Sequence, residues 1–203
     1  MWTFKTLALT GLGILVGLAA IAVGIWSYVM STVEQPTYAS VTQEGAIEIR
    51  DYPALVVAEV TRRGDRQTAV RAGFSPLAGY IFARSREGET VSMTAPVTQT
   101  PAAADQSWLI RFVMPSKYTL ETLPKAAGED VRLLELPPAR RAAIRFSGVA
   151  TDGLIGENEA VLRAWLGQRN LAILGAATYA YYNDPWTPGP LRRNEVLFDI
   201  AKR

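Results

Sequence analysis

AIEIRDYPALVVAEV, residues 46–60, holds two strands and the turn between them. Ile47 and Ile49 alternate with Glu48 and Arg50, the period of a strand with one apolar and one polar face. Pro53 closes that run, and residues 55–60 restart as a strand rich in β-branched side chains. Upstream, residues 38–42 read as a further strand, turned back by Gln43-Glu44-Gly45. Downstream, Gly64-Asp65 marks a turn with Asp65 placed to cap a helix. Val70, Phe74, Leu77 and Ile81 then recur at helical spacing as far as Phe82. Pro76 lies inside that stretch, which predicts a kink or a restart near Ser75. Two more strands follow, residues 90–100 and 107–114, each closed by proline.

The second half repeats the order. Residues 131–136 and 142–146 read as strands around Pro137-Pro138, and residues 148–153 as a loop. Residues 155–166 read as a helix, with Val161, Leu162, Trp165 and Leu166 on one face and Gly167 as its stop signal. Residues 176–183 and 194–201 are the closing strands. Each half is ββαββ, the first with an extra leading strand, and IRDYPALVVAEV is weakly echoed by LLELPPARRAAIRF. Neither repeat can bury its apolar face alone, so the halves must pair. The expectation is an α+β fold: duplicated ββαββ repeats forming a distorted antiparallel β-barrel flanked by two helices.

A different kind of segment precedes this domain. Residues 6–33 carry no charge, and residues 7–30 are almost wholly apolar. At about 1.5 Å per residue they span roughly 36 Å, enough to cross a hydrocarbon core of about 30 Å. Trp26 and Tyr28 lie near the outer end, where interfacial aromatics are favoured. Lys5 precedes the segment and Glu34 follows it. The positive-inside tendency then predicts a single-pass anchor in the cytoplasmic membrane with the domain on the exported, periplasmic side. The rival is a cleaved leader ending near Ala20-Ile21-Ala22, although Val23, Gly24, Ile25 and Trp26 continue the apolar run past it. Gly13 and Gly17 form one small-residue helix-packing pattern. The expected organisation is an anchor over residues 1–30, a linker over 31–37 and a domain over 38–203.

Composition narrows the chemistry. The chain has 203 residues, 49% hydrophobic and 20% charged, with net charge +2, no cysteine and no histidine. Missing cysteine removes disulfides, thiolate metal sites and cysteine nucleophiles. Missing histidine removes Ser-His-Asp catalysis, His-ligated zinc and His-ligated haem. Arg62-Arg63, Arg140-Arg141 and Arg192-Arg193 are isolated pairs that suit solvated charge, and no basic run suggests nucleic acid.

Several segments carry a family resemblance: IEIRDYP (47–53), GFSPLAGYIF (73–82), VSMTAPV (91–97), RFVMP (111–115), FSG (146–148) and YYNDPWTPGPLRRNEV (181–196). In this order they resemble the SOUL haem-binding protein family, over essentially the whole of residues 38–203. The resemblance implies a duplicated α+β barrel, similar to the effector-binding domains of certain transcription activators, that binds haem and other tetrapyrroles. It also implies a shallow apolar cleft between the first helix and the proline-rich loop before the last strand. Carried onto this chain, the ligand-binding positions are Arg71, Phe74, Ala78 and Tyr80 on the helix, and Trp186, Pro188 and Leu191 on the loop. One further basic position of the family falls on Gly79, so a second propionate partner is missing.

Each of these residues has a plainer reading beside the functional one. Arg71 could pair a propionate bidentately or sit on a solvated helix face. Phe74 and Trp186 could stack on a macrocycle, while Phe74, Leu77 and Ile81 equally suit core packing. Met93 is a conceivable thioether ligand, and Tyr179, Tyr181 and Tyr182 conceivable phenolate ligands. The strand role of the MTAPV segment and a structural role for Asn194 and Glu195 compete with those readings; Glu195 could pair with Arg50 or Arg193. The expectation is therefore a non-enzymatic, membrane-anchored domain. It binds haem, another tetrapyrrole or a similar flat amphiphile reversibly by apolar burial, without a His ligand and with no metal site of its own. The alternatives are a small-molecule hydrolase or effector-binding domain built on a cleft Glu/Tyr cluster, and a protein-interaction module.

Overall fold

The computed structural model describes residue 17 and residues 33–102 and 106–202. The expected anchor, residues 1–30, therefore lies outside the described residues apart from Gly17, as do residues 31 and 32 of the expected linker. Among the described residues no helix is long and apolar enough to cross a membrane.

Among the described residues nine strands form one antiparallel sheet: β1 (Ala39–Glu44), β2 (Ile47–Tyr52), β3 (Leu55–Arg63), β4 (Val97–Pro101), β5 (Ser107–Val113), β6 (Arg132–Leu136), β7 (Ala139–Phe146), β8 (Thr178–Tyr181) and β9 (Asn194–Asp199). Helix α1 (Arg66–Ile81) follows β3, and α2 (Asp152–Gln168) follows β7. The spatial order is β1-β2-β7-β9-β8-β4-β5-β3-β6. Leaving aside β1, this order is the same read outward in either direction from the β8–β4 junction. β4, β5, β3 and β6 on one side match β8, β9, β7 and β2 on the other. Each half lends its first strand to its twin: β2 pairs with β7, and β6 with β3.

The expected barrel is not formed. β1 pairs only with β2 and β6 only with β3, so the sheet stays open at both edges. The reason lies in the cores, which sit side by side rather than inside a closed tube. Ile155, Leu162 and Leu166 of α2 pack on Ile47, Ile49, Ala142, Ile144, Val196 and Phe198. Leu77, Tyr80 and Ile81 of α1 pack on Ala58, Val60, Ile110 and Phe112. Each helix thus buries its own half of one sheet face, and no interior remains for closure to enclose.

Asp65 caps α1, its carboxylate accepting from Thr68 N at 2.9 Å. Pro76 does not stop the helix, which runs without a break from Arg66 to Ile81. The carbonyl of Ala72, which a residue with an N–H at position 76 would bond, accepts instead from Arg62 Nε at 3.3 Å. Thr151 caps α2 by accepting from Leu154 N at 3.2 Å. That helix runs through Gly167, and the left-handed residue beyond its end is Asn170, at φ 53°. Val161 is exposed; Leu162 and Leu166 carry the buried face.

β4 begins only at Val97. Before it, the Thr94 hydroxyl donates to Val113 O, Ala95 N donates to Glu34 O at 2.9 Å, and Pro96 has no N–H for a ladder. The polar side of β2 is not solvated either: Arg50 is buried beside Glu195.

Helix α1 approaches β5 closely at Gly73, where a Cβ would lie 2.9 Å from Ile110 Cγ1. Gly73→Ala gains helix propensity but overpacks this contact, so a net loss of about 1–3 kcal/mol is expected. Urea denaturation measures it; an unchanged or raised midpoint would show that the helix can shift to make room.

Candidate functional site

The first-helix positions divide by depth. Arg71 is exposed at the surface of α1. Phe74 is 42% exposed, and its ring packs edge-on against Phe112 with centroids 5.4 Å apart. Ala78 is buried one turn further on. Tyr80 is buried, its hydroxyl donating to Pro124 O at 2.8 Å with the Arg86 guanidinium 4.9 Å from its ring centroid. Arg71 and Phe74 therefore offer surface, while Ala78 and Tyr80 lie beneath it.

The loop positions lie on a stiff frame. Asp184 Oδ1 accepts from Trp186 N at 2.7 Å and Thr187 N at 3.0 Å. Arg192 reaches back across the loop, donating to Thr187 O at 2.7 Å and Pro185 O at 2.6 Å. Thr187 is buried, and the chain turns through a short 3₁₀ segment, Gly189–Leu191. Gly148 N donates to Gly189 O at 2.9 Å, fixing the loop to the segment before α2. On this frame Trp186 is 90% exposed, with Pro188 and Leu191 also exposed. Trp186 thus presents a large aromatic surface to solvent from a backbone held by several hydrogen bonds. The two groups rest on different neighbours, Phe74 on β5 and the Trp186 loop on residues 148–149.

Glu195 occupies a quite different setting, on the sheet face opposite the helices. Its side chain is fully enclosed. Oε2 accepts from Arg50 Nη1 at 2.7 Å and the Tyr182 hydroxyl at 2.8 Å. Oε1 accepts from Arg50 Nη2 at 3.1 Å and Arg193 Nη2 at 2.7 Å. Burial alone would push its carboxyl up, but the bonds and charge of Arg50, then of Arg193, outweigh burial and hold it below the ordinary carboxylate range. This is a buried charge cluster in which Glu195 pairs with both Arg50 and Arg193.

The tyrosines are likewise engaged. Tyr179 donates to Glu159 at 2.9 Å and Tyr181 to Gln99 at 3.1 Å. Burial first, and then the neighbouring carboxylate, push the Tyr179 and Tyr182 phenols well above their usual range. Tyr181 is also raised, burial outweighing the opposing Arg66 charge. Among the described residues no group of three or more His, Cys, Asp or Glu side chains gathers where it could hold a metal ion. Met93 is partly exposed.

One residue escaped sequence reasoning. Arg66, the first residue of α1, is buried, and it joins the two halves. It donates to Asp152 at 2.6 Å, to the Tyr181 hydroxyl at 2.7 Å and to Ala150 O at 2.7 Å, while its own carbonyl accepts from Gln99 Nε2 at 2.7 Å. Asp152 is the first residue of α2, so the clasp links equivalent positions of the two repeats. A cation in the first turn of a helix opposes the helix dipole. That mismatch was the available signal that Arg66 answers an acid elsewhere.

Comparison with known proteins adds the family. The model of the SOUL heme-binding protein family matches residues 33–199. The chain belongs to this family. No curated protein matches it in sequence. Among solved structures it is similar to the EcmrR C-terminal domain, at 12% identity and TM-score 0.59, covering 82% of this chain and 99% of that one. It is also similar to a hydrolase from Listeria innocua, at 14% identity and TM-score 0.54, covering 79% and 94%. An uncharacterized conserved protein from Listeria innocua matches at 13% identity and TM-score 0.55, with the same coverage. Likenesses at this identity establish a shared fold for the SOUL domain.

The Glu195 cluster has a pH signature. A carboxyl depressed on folding lends stability above its unfolded value, near 4.5, and that contribution is lost as pH falls through the lower folded value. Glu195→Gln leaves the buried Arg50 with Glu48 as its one carboxylate and the half-buried Arg193 without its anion, and should cost about 3 kcal/mol at pH 7. The difference from wild type should shrink between pH 5 and pH 3, measured by urea denaturation. An equal difference at both ends would mean that the charge of Glu195 is not what stabilises the fold.

Proposed function

We propose that this SOUL domain binds haem, another tetrapyrrole or a similar flat amphiphile, non-covalently and reversibly, at the surface offered by Phe74 and the Trp186 loop. The observation that carries the reading is Trp186, 90% exposed on a loop whose backbone is fixed by Asp184 and Arg192. Binding there costs little ordering of the loop and buries a large aromatic side chain. Phe74 supplies the helix-side apolar contact and Arg71 a guanidinium for one propionate. Ala78 keeps the wall low, Tyr80 supports it from beneath, and Pro188 and Leu191 complete the loop side.

The residues suit the faces and one carboxylate of a macrocycle, and they do not suit its iron. The chain contains no histidine and no cysteine. The hydroxyls of Tyr80, Tyr179, Tyr181 and Tyr182 are all spent on internal bonds. Recognition then rests on the macrocycle and leaves the metal unligated. The reading is of a binding protein and not an enzyme, and what supports it is that the oxygens of Glu195 are already filled by two arginines and a tyrosine, so that this carboxylate is not free to act as a base. Residues 7–30 would hold the domain to the cytoplasmic membrane as a single-pass anchor, with the domain on the exported side. The mass of the mature chain separates that anchor from a cleaved leader: retention of residues 1–30 supports it, and loss of them removes it.

Titration of the full chain with haemin, followed by its visible absorption, and with metal-free protoporphyrin, followed by fluorescence, tests the site. Both should bind at micromolar concentration, within about threefold of each other, because no iron ligand is invoked. Arg71→Ala should weaken both by about tenfold, the worth of one charged hydrogen bond. Trp186→Ala should weaken them at least as much. Absence of binding by either porphyrin would sink the proposal. Haemin binding far tighter than the metal-free ring would point to an iron ligand and overturn the unligated reading.

A further inference from the structure

The sheet face away from the helices has a cover of its own. Residues 34–38 cross it without joining a ladder beyond a single bridge of Glu34 to Thr94. Glu34 is held at both ends: its carbonyl accepts from Ala95 N at 2.9 Å and its carboxylate from Ser116 N at 2.7 Å. Gln35 Oε1 accepts from Arg193 Nη1 at 3.0 Å. At the far end the Tyr38 ring lies 5.1 Å from that of Tyr52, with the Arg50 guanidinium 4.5 Å from its centroid. Pro36, in between, has no N–H to give.

Beneath this strap lies a floor of small and apolar side chains that no helix covers. Ala180, Leu197, Thr98 and Thr178 form it, with Tyr52 and Tyr182 also lining the depression and Gln35, Pro36 and Tyr38 of the strap against it. Ala180 and Leu197 are buried, together with Ala143, although they face away from both helices. Only about 30 Å³ remains between strap and floor, about one water's worth. A second depression, about 130 Å³, opens on the other flank of the same strap, beside Pro53, Met114 and Tyr118. Yet Glu34, Gln35, Thr37 and Tyr38 themselves remain largely exposed. The strap thus shields the floor while being held by a few polar bonds at Glu34 and Gln35 and by ring contacts at Tyr38, the kind of contact that local opening breaks first.

The charges beside the floor are balanced. Arg50 is shared between Glu195 and Glu48, Arg193 pairs with Glu195, and Arg141 with Asp199 at 2.7 Å. An unpaired charge brought onto this surface would be desolvated without a partner. We propose that residues 34–38 are a displaceable strap over a second ligand cleft, separate from the Phe74 and Trp186 surface. This cleft takes a slender, uncharged apolar or aromatic ligand in the strap's place. The strap is its built-in occupant: Gln35, Pro36 and Tyr38 already present an uncharged, partly aromatic edge to the floor.

The absence of cysteine makes the test direct, because one introduced thiol reports on one place. In the full chain, Ala180→Cys puts the thiol on the floor and Glu157→Cys puts a reference thiol on the exposed side of α2. Each is reacted with N-phenylmaleimide and with a trimethylammonium methanethiosulfonate, and floor rates are divided by reference rates. With the strap intact the floor thiol should react at least about 100-fold slower than the reference. Adding Glu34→Ala and Gln35→Ala should speed N-phenylmaleimide by at least about tenfold. The cationic reagent should gain about tenfold less. An unchanged floor rate in a variant with wild-type circular dichroism would overturn the strap, and a cationic reagent gaining as much as the neutral one would overturn the ligand class. Amide hydrogen exchange on the unsubstituted chain decides independently of any variant. The Ser116 and Ala95 amides should exchange through an opening smaller than the one that exposes Val196. If all three exchange only together, the strap does not open and the proposal fails.

Discussion

Neither repeat of this domain can complete its own sheet. β2 leaves its half to pair with β7, and β6 leaves its half to pair with β3. β4 and β8 close the centre over only three paired positions. Each half is therefore stable only in the presence of the other, because each lacks the strand its twin supplies. The Arg66–Asp152 clasp acts on the same seam from the helix side, joining the first turns of the two helices across it. Its partners Tyr181 and Gln99 lie on β8 and β4, the two central strands, so helices and sheet are tied at one place.

The strand exchange also fixes where charge can be buried. β2 brings Arg50 within reach of β9 across β7, and there it meets Glu195. A lone buried carboxylate would be prohibitive; one bonded by two guanidiniums and a phenol is tolerable, and it ties three segments of chain to one point. The cluster contributes to the architecture of the SOUL domain on the helix-free face. The exposed apolar surface lies elsewhere, on α1 and on the loop before β9. The buried charge cluster and the exposed aromatics therefore belong to different parts of the domain.

Much of this was legible in the chain. The alternation through Ile47 and Ile49, the proline stops and the cap at Asp65 place the first strands and the first helix, because those signals act over a few residues and depend little on context. All nine strands and both helices were anticipated, and the order of the elements within each half with them. The misjudgements share one cause: they needed a partner distant in sequence. Pro76 does not break α1, because Arg62 of β3 takes up the carbonyl that proline leaves without a donor. Arg50 is not solvated, because β9 lies two strands away with Glu195. Residues 90–96 do not extend β4, because Thr94 and Ala95 bond to Val113 and Glu34. Residues 34–37 read as a linker, since nothing local reveals that Glu34 finds the amides of Ser116 and Ala95.

Family, α+β class, repeat and the lack of any histidine or cysteine for chemistry are all readable from the order of residues. These follow from residue identity, local periodicity and short motifs in order. The open sheet and the exchange of β2 and β6 between halves emerge from long-range packing in the folded chain, and so from the tertiary structure. It alone buried Glu195 between Arg50 and Arg193, held Trp186 out on a rigid loop, and laid residues 34–38 over the helix-free face. Each of those outcomes is a pairing between groups far apart in the chain. The free energy of such a pairing depends on what else is packed beside it, and no short stretch of sequence contains that.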